Sequence, residues 1–223
     1  MDPNRKQWNV DLQSFRRALG QPAAQPPAIN LFLSLHARVH CAQISRPAQW
    51  SFEDEVWQNA TEPILRNIPP RGAHSIAWII WHIARIEDVT MNMLVAGSSQ
   101  LLQPGGWLDQ LRIDVRHTGN AMDRAAVVEL SAAIDLQALR AYRLAVGHRT
   151  RRIVQQLRPD ELRQKVDPER IEQVRLAGAV PEAAAEILEY WGKRTIAGLL
   201  LMPATRHSFL HLNEALRVRQ SHL

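Results

Sequence analysis

The stretch that begins at Ser75 constrains this chain more than any other. Ile76, Ile79, Ile80, Ile83, Ile86 and Val89 recur at spacings of three and four, and no glycine interrupts them until Gly97. That rhythm follows the 3.6-residue turn, so the segment reads as one long helix whose apolar side needs partners. Valine, isoleucine and threonine never alternate in period-two runs of useful length, which removes the sheet as an organising element. Helical spacing returns in Trp8, Leu12, Phe15 and Leu19, in Leu31, Leu35 and Val39, and in Leu139, Tyr142, Val146, Ile153 and Leu157. The expected fold class is all-α: an antiparallel four-helix bundle with an N-terminal helical arm and additional short helices.

Punctuation residues divide the chain. Gly20 ends the first stripe and QPAAQPP (21–27) reads as a proline-rich linker, so residues 1–27 are expected to form an arm outside the main core and residues 28–219 the bundle domain. Ser51, Asp123 and Asp135 are placed to cap helices, and Pro181 is a first-turn proline for a helix through Leu201. Pro203 is expected to begin a separate helix ending near Val218. Residues 97–120, with GSS, PGGW and TGN, read as an inserted loop. A length of 223 residues with 46% hydrophobic content suffices for one cored domain. No apolar run reaches membrane-spanning length, and MDPNRKQW is neither a signal peptide nor a lipid-anchor motif, so a soluble cytoplasmic protein with no membrane partner is expected.

The formal charge is +5, and the excess is local. Between residues 140 and 175 ten basic side chains stand against five acidic ones. Such a segment can hold an anion or a nucleic-acid backbone, or can simply be a solvated face. No helix-turn-helix, RNP or zinc-finger spacing accompanies it.

The nine histidines carry more chemistry. His207 and His211 lie four apart, which puts both imidazoles on one helical face, where they can grip a divalent cation if a third ligand comes from a facing helix. His82, mid-helix among apolar neighbours, suits that third position. Glu214, three beyond His211, is placed as a supporting acceptor or fourth ligand. His36 and His40 repeat the spacing on the first bundle helix, as additional ligand, general base or core hydrogen-bonding pair. Chance H-x-x-x-H pairs are common in a histidine-rich chain, so spacing alone leaves a hydrogen-bonded core reading open. Neither pair carries the glutamate of H-E-x-x-H, which excludes that protease motif. Arg85, one turn from His82, is read either as a substrate-orienting cation or as a bundle salt bridge with Glu87 or Asp88. Trp78, Trp81, Trp107 and Trp191 are expected to line an apolar pocket near the metal, or to be core. The single cysteine, Cys41, excludes a disulfide scaffold and is read as a structural thiol.

HSIAWIIWHIARIED (74–88) and RHSFLHLNEALR (206–217) resemble the DinB/YfiT-like superfamily of small four-helix-bundle proteins. LSLHARVH (33–40), TGNAM (118–122) and LRAYRLAV (139–146) are similar to its DinB_2-type branch, and the likeness covers roughly residues 28–219. The resemblance implies one divalent ion, zinc or nickel, held by His82, His207 and His211, and a homodimer. It also implies a small-molecule substrate: some relatives are thiol-dependent S-transferases or isomerases that use a low-molecular-weight thiol cosubstrate, and others are described as metal-dependent hydrolases. The alternative is a non-catalytic metal-, anion- or nucleic-acid-binding stress-response module. The extra His36/His40 pair and the long 97–120 loop depart from the commoner family pattern.

Overall fold

A computed structural model describes residues 2–21 and 25–220. Among them no strand occurs; a single bridge joins Lys165 to Thr195. No helix is long and apolar enough to cross a membrane. The helices are α1 (Pro3–Leu19), α2 (Gln25–Arg38), α3 (Phe52–Trp57), α4 (Glu62–Arg66), α5 (Ile76–Asp88), α6 (Trp107–Leu111), α7 (Arg124–Ala133), α8 (Leu136–Gln156), α9 (Pro168–Leu176), α10 (Glu186–Gly192), α11 (Ile196–Leu201) and α12 (Ser208–Gln220).

The bundle is built from α2, α5, α8 and the α11–α12 rod, and α5 is its centre. The Ser75 hydroxyl accepts from the Trp78 N–H and starts α5, which continues as a π-helical turn over Val89–Val95. Every residue from Ile76 to Val95 is buried, the polar His82, Arg85, Glu87, Asp88, Thr90 and Asn92 included. Ser51, Asp123 and Asp135 cap α3, α7 and α8 through the backbone N–H groups of Asp54, of Ala126, and of Gln137 and Ala138 respectively.

Two boundaries differ from expectation. The helix after Pro181 breaks at Lys193, and a new one starts where Thr195 Oγ1 accepts from the Gly198 N–H. Pro203 begins no separate helix: α11 runs into α12 through a second π-helical turn, Met202–His207. At this turn the Thr205 hydroxyl donates to the carbonyls of Leu200 and Leu201.

The N-terminal helix is no detached arm. Trp8, Leu12 and Phe15 are buried; the Trp8 ring lies flat on Phe209 at 3.8 Å between centroids, and Phe15 meets Phe32 at 6.1 Å. Three large apolar groups on one stripe are each worth about 1.5–3 kcal/mol when covered, which favours docking over solvation. Pro22, Ala23 and Ala24 of the linker lie outside the described residues, and α2 already starts at Gln25.

Candidate metal centre

The packing of α5 against α12 brings His82, His207 and His211 together. Their candidate ligand nitrogens all lie within 4.8 Å of one another. Ring centroids stand 5.1 Å apart for His82 and His207, 5.0 Å for His82 and His211, and 4.5 Å for His207 and His211. His82 is buried, while His207 and His211 are partly exposed, so the cluster has one solvent-facing side.

Two of the three rings are oriented by outer partners. His82 Nδ1 lies 2.6 Å from the Thr118 carbonyl oxygen, so Nδ1–H donates and Nε2 is left with its lone pair. His211 Nδ1 lies 2.9 Å from Glu214 Oε2, and the other Glu214 oxygen takes His74 Nδ1 at 2.9 Å. This is the outer-shell arrangement of a metal-binding histidine, which fixes tautomer and ring direction. Burial on its own raises the Glu214 carboxyl, but the hydrogen bonds from His211 and His74 outweigh it and hold the group down to about 2. Trp78 stacks on His82 at 4.7 Å and on His74 at 3.8 Å, closing that side with aromatic surface. His207 Nδ1 has no hydrogen-bond partner. Neutral imidazoles with available lone pairs fit a divalent ion of borderline softness.

Burial pushes His82 down to about 3, assisted by His211 and opposed by the bond to Thr118. His207 is lowered well below its usual value, again mainly by burial, then by His82 and His211. His40, elsewhere in the core, is also lowered to about 3, by burial and then by Arg143. The unfolded chain binds protons on these groups below about pH 6.5, whereas the folded chain does not. Their stability contribution is therefore complete above pH 6.5 and lost as the pH falls towards 3, at about 1.4 kcal/mol per pH unit for each histidine. Chelator-stripped protein is expected to melt at a steady temperature near neutrality and at steadily lower temperatures from pH 6.5 to 4. A flat melting temperature across that interval in a thermal scan contradicts neutral burial.

The loop 97–120 is stitched to α5 by a buried ion pair. Asp88 accepts from Arg85 Nη1 (2.9 Å), Tyr142 Oη (2.6 Å), Asn92 Nδ2 (2.7 Å) and the backbone N–H groups of Leu101 (2.8 Å) and Leu102 (3.2 Å). Arg85 also donates to Gln100 Oε1 and to the Arg116 carbonyl, the latter at 2.7 Å. Its guanidinium is fully buried in this network, so it is a bundle salt bridge with Asp88 and not a free cation for substrate. The stitched loop carries Thr118, the acceptor for His82.

The cleft beside the triad is apolar, about 150 Å³ in volume, and has His207 and Asn120 as its polar members. Its walls come from Ile86, Ile187, Tyr190, Trp191, Met202 and Pro203. Of the tryptophans expected there, Trp191 lines the cleft and the others lie elsewhere. Trp81 is fully buried, its ring so close under Gly119 that a Cβ there would stand 2.4 Å away, and Trp107 packs on Tyr142 at 5.4 Å. Trp78 stays with the histidines, as their stacking partner. His74 is not singled out by the sequence, because it sits in a loop just before a helix cap and has no spacing partner.

His36 and His40 do not join the triad; both turn to Glu87 in the core. The basic 140–175 segment is largely engaged within the fold. Arg143 is buried against Glu53, Arg149 bonds Asn92, Arg151 the Leu33 carbonyl, and Arg170 the carbonyls of Leu94 and Val95. Arg175 pairs with Glu172 and Arg158 with Asp160 and Glu161.

A conserved protein of Enterococcus faecalis, known from a crystal structure, has the same fold: the match is 19% identical with a TM-score of 0.57 and covers 86% of this chain and 94% of that one. No curated protein matches the sequence. The sequence profile described as the DinB superfamily matches residues 49–215, a span that includes all three histidines of the triad. The chain belongs to the DinB superfamily.

Proposed function

We propose that this protein is a divalent-metal-dependent enzyme, a transferase or hydrolase, that acts on a small molecule bound between the His82/His207/His211 triad and the apolar cleft. The observation that carries it is the pair of outer hydrogen bonds, Thr118 to His82 and Glu214 to His211, which hold two imidazoles with lone pairs aimed away from their partners. A divalent ion on three neutral imidazoles keeps a coordination position open and lowers the pKa of water or a thiol bound there.

The chain's own residues do the rest. Trp78 stacking and the stitched loop exclude water from the His82 side. Trp191, Met202, Ile86 and Ile187 favour a compact apolar substrate portion, of the size that about 150 Å³ accepts. Asn120 accepts from the Thr118 hydroxyl at 2.7 Å, which leaves its amide N–H groups to donate into the cleft. A low-molecular-weight thiol cosubstrate reaches the triad from its solvent-facing side.

Metal content of protein purified without a histidine tag or nickel resin tests the reading, with zinc or nickel as the expected ion. The wild type is expected to hold one more equivalent per chain than His82→Ala; equal content in the two overturns it. Cobalt-loaded protein then separates the chemistries. Thiolate-to-cobalt absorption appearing on addition of a small thiol supports the transferase, whereas an unchanged spectrum together with ester or amide cleavage supports the hydrolase.

A further inference from the structure

His36 and His40 stack at 4.2 Å between ring centroids and present Nε2 to a single carboxylate, at 2.8 Å from Glu87 Oε1 and 2.9 Å from Glu87 Oε2 respectively. All three side chains are fully buried, and their candidate ligand atoms lie within 4.8 Å of one another. We propose that His36, His40 and Glu87 form a second divalent-cation site, separate from the triad and taking an ion of zinc-like or cobalt-like character.

The donor set is the first support: two imidazoles and one carboxylate suit such ions, and none of the three has access to water. Charge balance is the second. Arg143 bonds Glu53 at 2.8 Å and stands 3.6 Å from Glu87. With both glutamates ionised and the imidazoles neutral, one guanidinium faces two carboxylates. A fully buried cluster does not keep a net negative charge without another cation. Arg151, the next guanidinium, is only partly buried and is bonded to the Leu33 carbonyl. The missing cation is a proton or a metal ion, and the three converging donors favour the metal.

The cluster also keeps buried polar atoms unmet. His36 Nδ1, His40 Nδ1 and Arg143 Nη1 are buried without a hydrogen-bond partner, so the protein's own groups do not complete the cluster. Metal binding through Nε2 leaves two Nδ1–H groups unpaired, a cost well below what a divalent ion gains from three such ligands. Gly147, in the middle of α8, clears the space: a Cβ there would stand 2.7 Å from His40 Cε1 and Nδ1. Glycine disfavours a helix interior, so its presence here preserves room for the imidazole.

The layout repeats that of the triad. α5 gives one ligand to each site, His82 and Glu87, roughly 140° apart around the helix at 100° per residue. An H-x-x-x-H pair on a flanking segment supplies the other two. This inference does not depend on the triad's function.

The test strips the full chain with a chelator, reloads it with cobalt(II) or zinc(II), removes the excess and counts metal per chain. Two equivalents are expected for the wild type, one for Glu87→Gln and one for the His82→Ala/His211→Ala double variant. A double variant that retains no metal overturns the proposal, as does a folded Glu87→Gln variant that holds as much metal as the wild type. If Glu87→Gln does not fold, the double variant decides alone. Failure of the triad reading looks different: the double variant then keeps as much metal as the wild type.

Discussion

His82→Ala is expected to weaken divalent-ion binding at the triad by two to four orders of magnitude. Structural zinc sites bind with about 10–16 kcal/mol, or roughly 3–5 kcal/mol per ligand over three ligands, and each 1.4 kcal/mol is a factor of ten. Glu214→Ala removes no ligand, so its expected loss is smaller, about 10- to 100-fold, the usual effect of an outer partner. The difference in size is informative. Glu214 holds His211 and His74 through separate oxygens, and its removal frees the His211 ring to turn while leaving both nitrogens in place. Competition against a chromophoric chelator measures both variants. Equal affinity in His82→Ala and wild type removes the triad as a metal site, and a Glu214→Ala loss as large as that of His82→Ala makes Glu214 a direct ligand.

Asp88→Ala is expected to be the most destabilising single change outside the apolar core. The carboxylate takes five hydrogen bonds, all from buried or partly buried donors. Its loss leaves the Arg85 guanidinium fully buried without a counter-charge. Breaking such a pair from one side costs about 3–5 kcal/mol. At about 2–4 °C per kcal/mol for a chain of this size, the melting temperature is expected to fall by roughly 6–20 °C. The same change is expected to weaken metal binding, although Asp88 touches no histidine. The route is structural: Asp88 and Arg85 anchor Leu101, Leu102, Gln100 and Arg116, and that loop brings the Thr118 carbonyl to His82. Destabilisation with metal affinity unchanged separates the loop's anchoring from the site.

Much of this organisation was legible in residue spacing. The isoleucine rhythm of α5 and the caps at Ser51, Ser75, Asp123 and Asp135 needed only local rules. His207 and His211 were legible for the same reason: spacing by four fixes a common face whatever the tertiary context. The pairing of Arg85 was read as an alternative, with Glu87 or Asp88 as partner, and the structure selects Asp88. What spacing could not reveal falls into physical classes. The Thr118 acceptor is a backbone carbonyl, and every residue has one. Glu87 and Asp88 end an apolar run and so look like ordinary surface charges, yet both are fully buried because their partners come from α2, from α8 and from the loop. The docking of α1 depends on Phe209, about two hundred residues away. The basic excess looked like a surface, but Arg143, Arg151 and Arg170 reach inward to the backbone carbonyls of Val39, of Leu33, and of Leu94 and Val95.

The π turn between Met202 and His207 sets the phase of the rod that carries two of the triad histidines. A π turn holds more residues than an α turn, so everything after it is rotated relative to everything before it. Removing one residue from Met202–Thr205 is expected to close the turn into a continuous α-helix with both halves keeping their faces, because the turn is where the extra residue is absorbed. The N-terminal half is fixed by Leu199 and Leu200, the C-terminal half by Phe209, Leu212, Ala215 and Leu216, and both sets are buried. A change that straightened the turn without shortening the chain would instead rotate one half by about 100° against the other and draw one of these sets out of the core. The turn therefore lets one rod keep both sets of apolar anchors in the core while presenting His207 and His211 to His82.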